Sequence, residues 1–209
     1  IDVCAHTDID GWKLQHAAQT LAGVLDFDGD GAPDNQNIVD KLVEQRAAYV
    51  VVSSDQQERV FSRYRGNDTF TIVFDDEMER VGDGFDPTVE EALHLVTDFG
   101  YAEVYPNDFA THPGSRIADL MDVARGGRFE TVPPRYPDNA VYSYDDESCD
   151  YACQVTEFTY WAVSSLRGQQ GMPGRADEIE DEWKLNTKLK IELQFPELSS
   201  QFTILLFIK

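Results

Sequence analysis

The chain has 209 residues, 42% of them hydrophobic and 11% aromatic, enough to build one substantial domain or a domain with a small module, and too apolar for a disordered chain. Its 39 acidic residues against 17 basic ones leave a formal charge of −22, which argues against nucleic acid and anionic membrane surfaces as partners and favours divalent cations or basic partners. No run approaches the roughly 20 apolar residues of a membrane span. The longest, Ala47 to Val52 and Ile204 to Ile208, are far shorter.

Taken in chain order, residues 12–25 show helical periodicity through Trp12, Leu14, Ala18, Leu21 and Leu25. An acidic loop follows, Asp26-Phe27-Asp28-Gly29-Asp30-Gly31-Ala32-Pro33-Asp34, and a second helix is expected from Asn37 to Ala47. Ala48 to Ser53 and Phe70 to Phe74 read as buried strands, with a helix between them over Asp55 to Arg63. Thr88 offers an N-cap with Glu91 three residues on, a capping box that opens a helix closed by Gly100. Ser115 to Ala124 and Asp150 to Leu166 are further helices, Val141 to Tyr144 a short strand, and Glu178 to Lys184 a helix. The tail alternates polar and apolar from Lys188 to Phe195, and Phe202 to Ile208 is a second strand candidate, so a β-hairpin-like tail is expected, with an edge open to self-association. The predicted organisation is residues 1–47 as a helix–loop–helix, 48–184 as the main domain and 185–209 as the tail.

The start Ile1-Asp2-Val3-Cys4 is consistent with a processed terminus, and Asn67-Asp68-Thr69 is an N-glycosylation sequon. Both favour an extracellular location. Three cysteines permit one disulfide. A bond between Cys149 and Cys153 would be strained if both sat in a regular helix, so the expected bond joins Cys4 to Cys149 or Cys153, with three reduced, buried thiols as the alternative.

The loop resembles the EF-hand calcium loop. Asp26, Asp28 and Asp30 stand at positions 1, 3 and 5 and Gly31 at position 6, where the turn is sharp. The resemblance implies the Ala32 carbonyl at position 7 and Asp34 at position 9 as further Ca²⁺ ligands. Position 12 is Asn37 rather than the bidentate Glu, which should weaken affinity. The same acidic spacing is similar to the calcium loops of thrombospondin type-3 and dockerin modules, but the flanking helices favour the EF-hand-like reading.

Residues 90–94, Glu90-Glu91-Ala92-Leu93-His94, resemble the HExxH helix of the zincin metallopeptidases with Glu in place of the first His. Residues i and i+4 share one helix face and can reach one ion, and a carboxylate can replace an imidazole as ligand. The resemblance implies a helix-rich α/β zincin-like fold, with Glu90 and His94 as metal ligands and Glu91 as general base. The third ligand would be Glu157 on the later helix, with Glu103 as the alternative, and Tyr160 would donate to an oxyanion. The ordinary alternative for Glu157 is a salt bridge to Arg116, Arg125 or Arg128. Two carboxylates and one imidazole suit Zn²⁺ less well than Mn or Fe. The expected function is therefore a secreted calcium-binding protein with a metal-dependent peptidase-like site. Loss of the first His equally supports an inactive extracellular binding or assembly module. His6, beside Asp8 and Asp10, is a further candidate ligand, while His16 and His112 have no partner nameable from sequence.

Overall fold

A computed structural model describes residues 1–65, 69–78 and 86–206. The chain is a helix-rich α/β protein with one three-stranded parallel sheet, and it divides into two compact units, residues 1–104 and 105–208. The sequon at Asn67 lies outside the described residues.

The first unit is built on strands β1 (Asp2–Ala5), β2 (Ala48–Val52) and β3 (Phe70–Phe74), in the order β1-β2-β3 with every pair parallel. Parallel neighbours need crossovers. Helices α1 (Gly11–Leu25) and α2 (Gln36–Glu44) make the first, and α3 (Asp55–Arg65) makes the second. The central strand reads Ala-Tyr-Val-Val-Val and all five residues are buried, as a strand covered on both faces requires. On one face Ala48, Val50 and Val52 pack with Cys4, Ile72 and Phe61 of α3. From the other face the Tyr49 hydroxyl donates to the Thr88 carbonyl at 2.7 Å, tying β2 to α4 (Thr88–Val96). Helix α1 packs on α4 and buries Ala17, Leu21 and Val24, a spacing of four and three. β1 was not expected. Its four residues carry no periodic signal and become a strand only by pairing with β2.

The start of α4 corrects the capping box. Thr88 is already helical, and the cap comes from Asp86, whose Oδ1 accepts from Thr88 N at 2.9 Å and from the Thr88 hydroxyl. The other Asp86 oxygen pairs with His16 of α1, which supplies the partner that His16 lacked. Gly100 does not end the helix either. The chain continues through a π-helical turn at Thr97–Tyr101 into α5 (Ala102–Val104). Gly100 is there for closeness: a Cβ at this position would stand 2.6 Å from Cγ2 of Ile38 on α2, which packs on this turn. Gly100→Ala should therefore destabilise the protein by about 1–3 kcal/mol. Most of that cost should vanish in an Ile38→Ala background, a coupling readable by denaturant titration of the double-mutant cycle.

The second unit holds α6 (Pro106–Phe109), α7 (Arg116–Ala124), α8 (Tyr151–Leu166), α9 (Arg175–Glu178), α10 (Lys188–Gln194) and α11 (Pro196–Leu206). Helices α7, α10 and α11 pack on α8, most of whose residues are buried. Its core joins the rings of Tyr142, Phe158 and Trp183, and the fully buried Trp183 indole donates to Ser165 Oγ at 2.9 Å. In place of a strand at 141–144 there is a single antiparallel bridge, Tyr142 to Trp183, and the helix expected at 178–184 is the short α9 instead.

The tail is a correction. Residues 188–206 form α10 and α11, not a hairpin, so the strand edge proposed for self-association is absent there; residues 207–209 lie outside the described residues. Thr187 caps α10 through the Lys190 N–H, and Pro196 opens α11 at a position where its missing N–H costs nothing. The alternation that resembled a strand divides between two faces of the helix. Ile191 and Phe195, one turn apart, are buried, while Leu189 and Leu193 are exposed.

The disulfide is also corrected. It joins Cys149 to Cys153 across 5.3 Å between Cα atoms, within the ordinary span of a bridge. Cys149 precedes the helix, since Asp150 is the N-cap of α8 and accepts from Cys153 N at 2.9 Å. The regular-helix geometry that argued against this pairing does not apply. Cys4 sits half-buried in β1, outside that bond.

Candidate metal centres

The acidic loop turns between α1 and α2. Gly29 and Gly31 have φ of +70° and +87°, the left-handed region that other residues enter at a cost. Asp26 organises the turn: Oδ1 accepts from Gly29 N at 3.0 Å and Asp30 N at 3.2 Å, and Oδ2 from Gly31 N at 2.8 Å. Asp34 closes it by accepting from Phe27 N at 2.8 Å. One carboxylate oxygen each from Asp26, Asp28 and Asp34 lie within 4.8 Å of one another. Asp30 stands outside this group and accepts from Ala32 N at 2.9 Å. Ala32 is exposed, and Asn37 lies in the first turn of α2 with its N–H on the Asn35 side chain. Three converging carboxylates repel, and a cation among them would relieve that repulsion.

Glu90, Glu91 and His94 lie on α4. His94 is 8% exposed, with Nδ1 3.8 Å from Glu91 Oε2, while Glu90 and Glu91 are half-buried. Glu157 is half-buried on α8. Glu90 and His94 stand one turn apart on α4 and can reach one ion. Two of the arginines that could have neutralised Glu157 are engaged elsewhere: Arg125 with Asp122 and Arg128 with Glu130. Glu103 is exposed on α5, and His6 is paired with Asp8. His112 Nδ1 is 3.0 Å from the Pro113 carbonyl oxygen. The Tyr160 hydroxyl is buried and accepts from Gln170 Nε2 at 2.9 Å.

The negative field of this region is visible at Tyr49. Burial, and then the nearby Glu91, Asp86 and Glu90, push its hydroxyl far above the usual phenol range, so it stays a neutral donor to Thr88. Sequence reasoning missed Asp86. It joins α1 to the start of α4 and so sets where Glu90 and His94 stand, and its only signal was an acid two residues before a helix. It also missed a cavity in the second unit, which is lined from three loop segments and two helices that no local pattern connects.

Family models, curated proteins and solved structures include none that matches the chain.

Proposed function

We propose that this is a calcium-stabilised, secreted metal-dependent hydrolase of zincin type, with Ca²⁺ in the Asp26 loop and a second divalent metal held by Glu90, His94 and Glu157. The arrangement on α4 carries the reading: Glu90 and His94 stand one turn apart, and Glu91 Oε2 lies 3.8 Å from Nδ1 of the buried His94, while the zincin resemblance supplies Glu157 as third ligand. A metal bound there would supply Lewis acidity toward a peptide carbonyl. Glu91, beside Glu90 and facing His94, takes the proton of the attacking water. Tyr160, steadied by Gln170, donates to the developing oxyanion. Two carboxylates and one imidazole favour Mn or Fe, or Zn²⁺ with a less acidic bound water. In the loop, Asp26, Asp28 and Asp34 supply carboxylates, and Asp30, Ala32 and Asn37 complete the EF-hand-like set. The Cys149–Cys153 disulfide supports an oxidising compartment. No helix among the described residues is long and apolar enough to cross a membrane.

Metal analysis of protein equilibrated with Ca²⁺ and Mn²⁺ tests this. The wild type should carry one ion of each, His94→Ala should lose only Mn²⁺, and Asp26→Asn/Asp28→Asn only Ca²⁺. Chelating calcium from protein held at a hundredfold its Kd should cost about 2.7 kcal/mol of stability. Unchanged metal content in His94→Ala would remove the hydrolase reading, and an unchanged melting temperature after verified calcium removal would remove the calcium one. A bound metal without peptide hydrolysis would assign the inactive binding module instead.

A further inference from the structure

The second unit contains a cavity of about 920 Å³ between the proline-containing segment 132–137, residues 143–147, α8 and residues 175–184. Six carboxylates and three cations line it. The cations are occupied: Arg135 pairs with Asp138 at 2.6 Å, Arg175 pairs with Glu178 at 3.1 Å, and Lys184 Nζ donates to the Ala140 carbonyl at 2.6 Å. Asp145, Glu147, Asp181 and Glu182 make no ion pair with a lysine or arginine among the described residues. The cavity therefore presents a net negative wall. Glu182 registers this, its carboxyl raised above the ordinary range by burial and then by Asp145, with Asp181 adding to the shift.

An independent observation comes from Trp161, which lines the same cavity and is 6% exposed. Its indole N–H is near enough to Glu182 to favour the carboxylate, yet it closes no hydrogen bond, and its nitrogen is buried from solvent. A buried indole N–H without an acceptor costs roughly 1–3 kcal/mol. A ligand that draws Glu182 to a positive charge and presents a carbonyl oxygen to Trp161 would satisfy both groups. The ring already accepts one cation, with the Arg175 guanidinium carbon 5.8 Å from its centroid.

We propose that this cavity binds a basic residue of a peptide, its guanidinium or ammonium group among Asp145, Asp181 and Glu182 and a neighbouring backbone carbonyl on Trp161 Nε1. The cavity's volume is within the range of sites for ligands of this size. The inference stands on the second unit alone and survives if no metal binds at His94.

Calorimetric titration of the full chain in 0.15 M salt tests it with three probes: acetyl-Gly-Arg-Gly-amide, the neutral acetyl-Gly-Gln-Gly-amide, and agmatine, a guanidinium without a carbonyl. The arginine peptide should bind saturably, agmatine about fivefold or more weakly, and the glutamine peptide not at all over the same range. Asp145→Asn/Glu182→Gln should weaken the arginine peptide about tenfold, and Asp181→Asn, at an exposed position, should weaken it with no change in melting temperature. Glu44→Gln/Glu197→Gln, which removes the same charge elsewhere, should leave binding unchanged. Trp161→Phe should erase the preference for the peptide over agmatine. The proposal is overturned if the arginine peptide does not saturate, if the glutamine peptide binds equally, or if Asp181→Asn and the double variant bind like wild type. Equal affinity for agmatine and the arginine peptide would overturn the assignment to a peptide.

Discussion

Glu91→Gln should leave both metals in place and lower peptide hydrolysis by about 10²–10⁴-fold, the usual cost of losing a general base. Glutamine keeps the size of the side chain and the helix. The Glu91 carbonyl, which accepts from Thr71 Oγ1 at 2.8 Å and fastens α4 to β3, is unaffected by the change. The carboxylate lies 3.8 Å from His94 Nδ1, beyond hydrogen-bonding distance, so no bond that orients the imidazole is lost. His94→Ala, by contrast, should remove metal and turnover together. The comparison is made with metal-loaded protein and a quenched-fluorescent peptide mixture, with metal content measured on the same samples. Equal turnover in Glu91→Gln and wild type would sink its role as the base while leaving the metal assignment standing.

Arg125→Met should cost about 3–5 kcal/mol, the largest expected loss of stability from a single change outside the proposed sites. Arg125 is fully buried at the end of α7. Its Nη2 donates to Asp122 Oδ1 at 2.6 Å and its Nη1 to Gln154 Oε1 at 2.6 Å, while the guanidinium stacks near the rings of Tyr151 and Phe129. Tyr151 donates to the other Asp122 oxygen at 3.0 Å, and burial together with Asp122 pushes its hydroxyl up to about 12. Removing the guanidinium leaves Asp122 Oδ1 and the buried Gln154 amide oxygen without the Arg125 donors. Arg125→Lys should recover only part of the loss, because one ammonium cannot reproduce the planar fork. Arg135→Ala breaks an ion pair of similar length in full solvent and should change nothing measurable in the same denaturant titration. Equal effects at Arg125 and Arg135 would contradict the burial argument.

Several elements were legible from residue order because their physics is local. The apolar spacing of α1, the β-branched run of β2 and the Asp-Gly alternation of the acidic loop each act within about one turn or one strand, and each formed where its pattern pointed. Glu90 and His94 share a helix face for the same reason: a separation of four residues is one turn whatever surrounds it. Failures came where a local pattern had two outcomes. The alternation over 188–195 suits a strand in isolation, but as a helix it buries Ile191 and Phe195 and leaves Leu189 and Leu193 to solvent. The threonine–glutamate pair at 88 and 91 has capping spacing, but Asp86 caps first.

The sequence by itself determined the acidic balance, the helix–loop–helix with its carboxylates and the pairing of Glu90 with His94 on one turn, because each follows from composition or from neighbours a few bonds apart. Only the tertiary structure decided that Cys149 bonds Cys153, that Gly100 serves the approach of Ile38 and that Asp2–Ala5 becomes a strand. Two of those outcomes depend on which distant surfaces meet, and the disulfide depends on where α8 begins. Contacts at long separation depend on the sum of many weak packing terms across the chain, and no window of sequence contains that sum.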